Sequence, residues 1–309
     1  MNPLGLLLDL VSRLPFPVLH FFSDVSYFWI YTVFGYRKKT VRENLIRSFP
    51  EKSMAEITVI EKGFFRNFCD LIFETIKTST ISKEEIQSRC RLENPDLLLK
   101  LYRDGKNVAG ISSHMGNWEW LSLSLSLSSE FKFLAVYKPL ANAKLNRIVI
   151  GSRERFGAIF VAIKHLKKVL DQSHEKPYFV GLLSDQAPHD YAKAMELPFL
   201  NQTTYFVPGP GMLCLKRDLT PVYGWIRRVG RSRYVWHLEL LEEVMPAYAD
   251  LAEMERAQVD RFAVAHRLSQ EESLKAFVIT RKLARRLEEE IKMAPQDWLW
   301  SHRRWKSRS

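Results

Sequence analysis

Apolar positions change their rhythm along this chain, and each change marks a different kind of element. Residues 4–36 are mostly apolar, interrupted by Asp9, Arg13 and Asp24 and split in two by Pro15 and Pro17. Thr40 to Phe49 reads as a basic helical segment stopped by Pro50. Ser53 to Ser79 then holds one long amphipathic pattern, in which Ile57, Ile60, Phe64, Phe68, Leu71 and Ile76 recur at helical spacing. From Leu92 short apolar runs alternate with helical stretches. They predict helix 95–104, strand 107–113, a helix starting at 117, strand 131–137 and a helix over Ala143 to Phe156. Further strands are expected at Ile159 to Ala162, Tyr178 to Leu183, Thr220 to Arg227 and Tyr234 to Leu241, and a helix over His165 to Gln172. That alternation predicts an α/β fold with a mixed central sheet flanked by helices. Leu121 to Leu127 alternates leucine with serine, the period of a half-buried strand, yet its place between two strands asks for a helix. The helix is preferred because it sets Trp118, Leu121 and Leu125 on one face. Residues 243–266 form a polar helical stretch. A capping box, Ser269-x-x-Glu272, then opens an amphipathic helix through Leu274, Phe277, Leu287 and Ile291 that ends before Pro295.

Neither a repeat nor a long linker divides residues 40–309, which read as one α/β domain with a C-terminal helix and a basic tail. Residues 1–39 read as a membrane-associating segment. Their longest uncharged stretch, Val25 to Tyr36, is shorter than an unbroken membrane span, and Asp9 argues against a cleaved signal peptide. Phe21, Phe22, Phe28 and Trp29 followed by Arg37-Lys38-Lys39 suit the headgroup layer of an anionic leaflet. A tilted span and an in-plane anchor both fit, and a buried helix of the soluble core is the competing reading.

Charge sharpens this picture. The 309 residues carry 46 Lys and Arg against 35 Asp and Glu, a net charge of +11, so the surface should attract phosphates, acidic proteins or anionic lipid. Zinc-finger spacing, a glycine-aromatic RNA-binding signature and a basic leucine zipper are all missing, and nucleic acid is not an expected partner. Cys69, Cys90 and Cys214 are far apart and odd in number, which argues against a disulfide framework or a zinc site. No metal or cofactor is expected.

Candidate chemistry centres on His114-Met115-Gly116-Asn117-Trp118-Glu119, directly after the apolar run 107–113. A histidine at a strand's carboxyl end sits where open α/β sheets place their ligands. Neutral imidazole can take a proton from an alcohol, and a carboxylate on its other nitrogen fixes the tautomer. On one continuous helix five residues turn through about 500°, so His114 and Glu119 can meet only across a strand-to-helix turn, which Gly116-Asn117 would supply. By spacing alone the two are more readily unrelated neighbours than a catalytic pair. Arg147, Arg153 and Arg155 lie on or just after one helix and suit phosphate or carboxylate, or else form a solvated basic face. Asp185-Gln186 follows strand 178–183 at its carboxyl end, and Pro198 to Gly211 is a loop rich in Gly, Pro and Thr that either lines a pocket or merely turns.

Taken in order, these segments resemble the lipid A biosynthesis acyltransferase family, the late lauroyl/myristoyl transferases, within the glycerolipid acyltransferase superfamily. The likeness covers roughly residues 5–242 and 270–306. It rests on His-x4-Glu within Ser113 to Glu119, on Tyr137-Lys138-Pro139-Leu140, Asn146-Arg147 and Arg153-Glu154-Arg155-Phe156-Gly157. It also rests on Ser184-Asp185-Gln186, Pro198-Phe199, Thr203-Thr204, Gly209-Pro210 and the terminal Pro295-Gln296-Asp297-Trp298-Leu299-Trp300-Ser301-His302-Arg303-Arg304-Trp305-Lys306. Members commonly carry a glycine after the Pro-Phe pair, where this chain has Leu200-Asn201. The resemblance implies a glycerolipid-acyltransferase-like fold. It implies transfer of a fatty acyl group from a thioester, on acyl carrier protein or coenzyme A, to a hydroxyl of a lipid A precursor at the cytoplasmic face of the bacterial inner membrane. His114 would then be the general base and Glu119 its orienting carboxylate. Arg153 or Arg155 would stabilise the oxyanion or hold a phosphate, with Asn117, Asp185 and Gln186 as supporting polar groups. Related enzymes acylate aminolipids or phosphatidylinositol mannosides, and a non-catalytic lipid-binding protein is the alternative from another class.

Overall fold

The computed structural model describes residues 3–172, 174–241 and 246–305. Nine strands are present among them: β1 (Cys90–Leu92), β2 (Val108–Ser112), β3 (Lys132–Tyr137), β4 (Ile159–Ala162), β5 (Tyr178–Leu183), β6 (Met195–Phe199), β7 (Gln202–Phe206), β8 (Thr220–Gly230) and β9 (Arg233–Leu240). The helices are α1 (Pro3–Ser12), α2 (Phe16–Tyr27), α3 (Lys38–Ser48), α4 (Met54–Lys77), α5 (Lys83–Arg89) and α6 (Pro95–Arg103), followed by α7 (Trp118–Ser128) and α8 (Ala143–Arg153). The last four are α9 (Leu166–Leu170), α10 (Gly209–Arg217), α11 (Glu253–His266) and α12 (Gln270–Met293).

Seven strands form one sheet in the order β1-β9-β8-β2-β5-β3-β4. Every neighbouring pair is parallel except β8 and β9, a hairpin. The sheet is therefore mixed, with helices on both faces, as the alternation of short apolar runs with helical stretches predicts. Val108, Phe133, Phe179 and Trp236 face the larger core with α4 and α7, whereas Ala109, Leu134 and Val180 face the opposite layer with Leu170 and Cys214. Strands buried on both faces need apolar residues at successive positions, which is why 108–111 and 178–182 read as continuous apolar runs rather than alternating ones.

Leu121 to Leu127 is helical, in α7, although its residues alternate with the period of a strand. All three of its serines spend their hydroxyls on backbone carbonyls: Ser122 and Ser126 bond carbonyls one turn back, and Ser124 bonds Cys90 O of β1; Ser129, just past the helix, bonds Leu125 O. Short polar side chains that satisfy themselves in this way are tolerated on a helix whose leucines are buried. The stretch 198–211 is not a loop. Its first part makes the β6–β7 hairpin, turned by Leu200 and Asn201 at φ 48° and 59°, and its second part opens α10. Leucine in the left-handed region is uncommon. Here full burial of its side chain, a hydrogen bond from Leu200 N to Glu288 Oε2 and one from Asn201 Nδ2 to Ser48 O hold the turn. Within 243–266, residues 246–252 are irregular apart from a single 3₁₀ turn and helix begins only at Glu253; 243–245 lie outside the described residues, as do Lys306 to Arg308 of the basic tail.

Pro15 and Pro17 do divide the N-terminal region, into α1 and α2, and a π-helical turn follows over Phe28–Val33. These elements lie against α4. Leu19 and Phe16 are buried, Ser23 Oγ donates to Asp70 Oδ1 at 2.6 Å, and Tyr31 Oη donates to Glu61 Oε1 at 3.0 Å. No described helix is long and apolar enough to cross a membrane.

Candidate active site

Register alone brings two of the sequence-flagged residues together. Ser112 and Leu183 are partners at the ends of the adjacent parallel strands β2 and β5, and Ser184 N continues the ladder to Ser112 O at 3.0 Å. His114 and Asp185 stand two residues beyond each partner, so they leave the sheet side by side at its carboxyl edge. The His114 backbone N–H donates to Asp185 Oδ2 at 2.9 Å, and His114 Nδ1 lies 2.6 Å from Oδ1. Trp298 Nε1 donates to Oδ2 at 2.8 Å, a third hydrogen bond on the same buried carboxylate.

The terminal motif reaches the site by backbone pairing. Met115 and Trp298 form an isolated antiparallel bridge, with Leu299 N donating to His114 O at 3.1 Å and Gly116 N to Asp297 O at 3.0 Å. Gly116 sits at φ +50°, which lets the chain turn from this bridge into α7. Asn117 then caps the helix: Trp120 N donates to its Oδ1 at 2.9 Å, while its Nδ2 donates to Glu74 Oε2 at 2.7 Å. Asn117 is completely buried with both ends of its amide engaged; it anchors the loop and is not among the residues that line the cavity described below.

Glu119, in the first turn of α7, makes no hydrogen bond to His114. Its carboxylate pairs with Arg153 Nη2, from the last turn of α8. The expected His114–Glu119 contact is thus replaced by two neighbouring pairs, His114–Asp185 and Glu119–Arg153. The reason is geometric: Asp185 arrives from the adjacent strand at hydrogen-bonding distance, whereas the cap at Asn117 turns the first helical residues toward α8. Arg155, the other arginine candidate, lies elsewhere. Its Nη1 donates to Thr78 O at 2.7 Å and Ile81 O at 3.0 Å, tying down the chain after α4.

Electrostatics follow from this arrangement. Burial alone would lower the His114 pKa, but the Asp185 charge, its hydrogen bond and the nearby Glu119 charge outweigh it and the net shift is upward. Burial pushes the Asp185 carboxyl up, yet the imidazole charge and three hydrogen bonds bring it down to about 2. An ionised Asp185 fixes the proton of neutral His114 on Nδ1, which leaves Nε2 as the basic nitrogen. Gln186 Nε2 approaches that nitrogen at 3.3 Å, and the Trp118 ring packs edge-on against the imidazole with centroids 4.9 Å apart.

His114, Glu119, Arg153 and Gln186 open onto one cavity of about 850 Å³. That is the upper part of the range for small-molecule sites. Its walls are mostly apolar: Leu121 and Leu125 of α7, Phe133 and Ala135 of β3, Phe179 and Gly181 of β5, Trp236 and Leu238 of β9. Leu140 and Ile163 at its rim are exposed. The predicted face of α7 carrying Trp118, Leu121 and Leu125 is the one that lines it.

A mostly parallel α/β sheet thus holds a carboxylate-paired imidazole at its carboxyl edge, beside a mostly apolar cavity. Residues 4–307 match the profile of the bacterial lipid A biosynthesis acyltransferases, and the chain belongs to that family. It is therefore an acyltransferase of lipid A biosynthesis by family. A search of curated proteins gave no match.

Asp185 and Gln186 are legible in the sequence as candidate polar groups, but the pairing of Asp185 with the imidazole is not, nor is the contact Trp298 makes with that carboxylate. The signal for Asp185 was present in its position after a buried strand. Trp298 offered none beyond membership of the terminal motif, because its contact runs between residues 113 positions apart.

Proposed function

We propose that the protein moves a fatty acyl group from the thioester of acyl carrier protein to a hydroxyl of a lipid A precursor, at the cytoplasmic face of the bacterial inner membrane. The observation that carries this reading is the His114 imidazole. Its Nδ1 is engaged by Asp185 and its Nε2 is turned toward an apolar cavity able to hold an acyl chain. Nε2 takes the proton of the acceptor hydroxyl as its oxygen attacks the thioester carbon. The tetrahedral intermediate collapses with cleavage of the carbon–sulfur bond, and the departing thiolate takes the proton back from the imidazolium. Asp185 holds the imidazole and stabilises its charge. Glu119 orients Arg153, whose guanidinium stabilises the oxyanion or holds a substrate phosphate.

Delivery of the lipid is assigned to the N-terminal helices. Leu6, Leu7, Leu10, Phe21, Phe28 and Phe34 are all exposed there, and the basic Arg37-Lys38-Lys39 follows. A side chain at Gly5 of α1 would lie 3.7 Å from Ile148 of α8, the helix that ends at Arg153, so the apolar surface adjoins the element that carries this part of the site. The net charge of +11 suits both an acidic carrier protein and a phosphorylated acceptor.

Purified protein incubated with acyl carrier thioester and a lipid A precursor tests the reading. His114→Ala should lower turnover by about 10²- to 10⁴-fold. Undiminished transfer by that variant would refute the mechanism. Mass spectrometry of lipids from a deletion strain decides the acceptor: a missing secondary acyl chain on lipid A supports it, and intact lipid A with a missing aminolipid overturns it.

A further inference from the structure

The cavity below His114 is closed by a built wall. Side chains on one face of the sheet stand in rows set by strand register. His114 and Asp185 stand two residues past the strand ends; within the sheet the first row holds Ser112 and Leu183, the next Gly110, Gly181 and Ala135, and the last Val108, Phe179 and Phe133. From His114 to Gly110 is four residues, roughly 13 Å at about 3.3 Å per residue. On the facing wall Trp118 to Leu125 of α7 covers a similar depth, roughly 10 Å at 1.5 Å per residue.

The glycine row is not empty. A Cβ on Gly110 would lie 2.0 Å from the Phe179 ring, and one on Gly181 would lie 3.0 Å from the Phe133 ring. The two rings therefore lean out of the last row and lie across the glycines, where a side chain at Gly110 would displace the Phe179 ring and one at Gly181 would crowd the Phe133 ring by a few tenths of an ångström. They touch each other, centroids 5.8 Å apart, and Phe131 backs Phe179 at 5.9 Å, itself edge-on to Tyr102 at 5.2 Å. Phe133 and Phe179 line the cavity; Phe131 and Tyr102 stand behind them.

We propose that Phe133 and Phe179, seated on Gly181 and Gly110, are the end stop that sets the length of the acyl chain this protein accepts. The inference rests on the reading of the cavity as an acyl site. A chain that reaches the rings meets aromatic groups supported from behind, and in a close-packed interior an extra methylene has nowhere to go. A pocket of this kind discriminates about tenfold or more per methylene.

The test is competition among saturated acyl carrier thioesters of graded length, with the products read by mass spectrometry. Phe179→Ala and Phe133→Ala should move the preferred chain to a longer one, with relative kcat/KM for it rising about tenfold or more. Gly110→Ala should push the Phe179 ring into the cavity and move the preference to a shorter chain. If the alanine variants fail to fold, Phe179→Leu and Phe133→Leu shift in the same direction by a smaller step. An unchanged length profile in the folded variants overturns the end stop. If the parent transfers no acyl group at all, the enzymatic reading fails, and the stop is judged by melting temperature with free saturated fatty acids. A longer optimal acid for Phe179→Leu than for the parent supports it, and an identical optimum overturns it.

Discussion

At His114 two effects compete for the proton, and the outcome sets a pH dependence. Burial favours the neutral ring, while the carboxylates of Asp185 and Glu119 favour the charged one and win. The neutral ring needed for general-base action therefore dominates only above the ordinary imidazole range. We expect kcat/KM to rise with pH along an acid limb whose inflection lies above about 6.5. Asp185→Asn should lower that inflection and reduce the rate about 10²-fold or more, with the full pH–rate profile as the measurement; an unmoved inflection would detach Asp185 from the imidazole. The same shifts act on stability. His114, raised in the fold, contributes fully below about 6.5 and loses that contribution as pH climbs through its folded value. Asp185, depressed, contributes above about 3.8 and loses it as pH falls through about 2. Both contributions are present together between about 4 and 6.5. The histidine was legible in the sequence as a proton acceptor at a strand's end. Its partner was not, because the nearest carboxylate in sequence, Glu119, and the nearest in space, Asp185, are different residues. Strand register, a long-range property, chose between them.

Among the elements, α12 carries the least expected group. Glu290 is buried and receives hydrogen bonds from Tyr223 Oη and from Ile226 N at 3.0 Å. Burial pushes its carboxyl up to about 8 despite those bonds. The folded protein therefore keeps a proton that the unfolded chain loses near pH 4.5. The resulting stability is fully present below about 4.5 and disappears as pH rises through about 8. Glu290→Gln should flatten the fall of melting temperature across that window and leave the variant more stable than the parent at pH 8. Scanning calorimetry from pH 5 to 9 would show it, and an equally steep fall in the variant would assign the dependence to another group, such as Asp297, whose buried carboxyl is raised to about 6. Periodicity announced α12 itself, capping box included. It could not announce the buried acid, since Glu290 reads as one of three consecutive glutamates on a surface helix. For α7 the contest ran the other way. Alternation suggested a strand, but β2 and β3 are parallel strands of one sheet with β5 between them, and parallel strands are joined by a crossover that is usually a helix.

Across the whole molecule, the exposed aromatics of α2 and the π-helical turn form an apolar surface with a basic border, whereas the opposite side of the same helices is sewn to the body. Asp70 accepts from Ser23, Arg228 and Arg231, and Arg231 also pairs with Asp24. The segment is held on one side and open on the other, which suits the membrane contact proposed above. Flotation with anionic vesicles should recover the protein, and recovery should fall as salt is raised. Replacing Phe21, Trp29 and Phe34 by serine should weaken vesicle binding about tenfold or more for each side chain, at roughly 1.5 kcal/mol of lost apolar burial apiece. Binding unaffected by all three changes would overturn the proposed membrane contact of this surface. Composition and hydrophobic period determined, without any coordinates, that this chain is α/β, basic and apolar at its start, and that His114 ends a buried strand; these are local properties, written in consecutive residues. The tertiary structure decided which carboxylate meets the imidazole, that Trp298 donates to that carboxylate, that Arg155 bonds the chain after α4 while Arg153 meets Glu119, and which side chains line the cavity. Each of those outcomes depends on side chains from separate strands and helices meeting in space, and no spacing along a single segment encodes such a meeting.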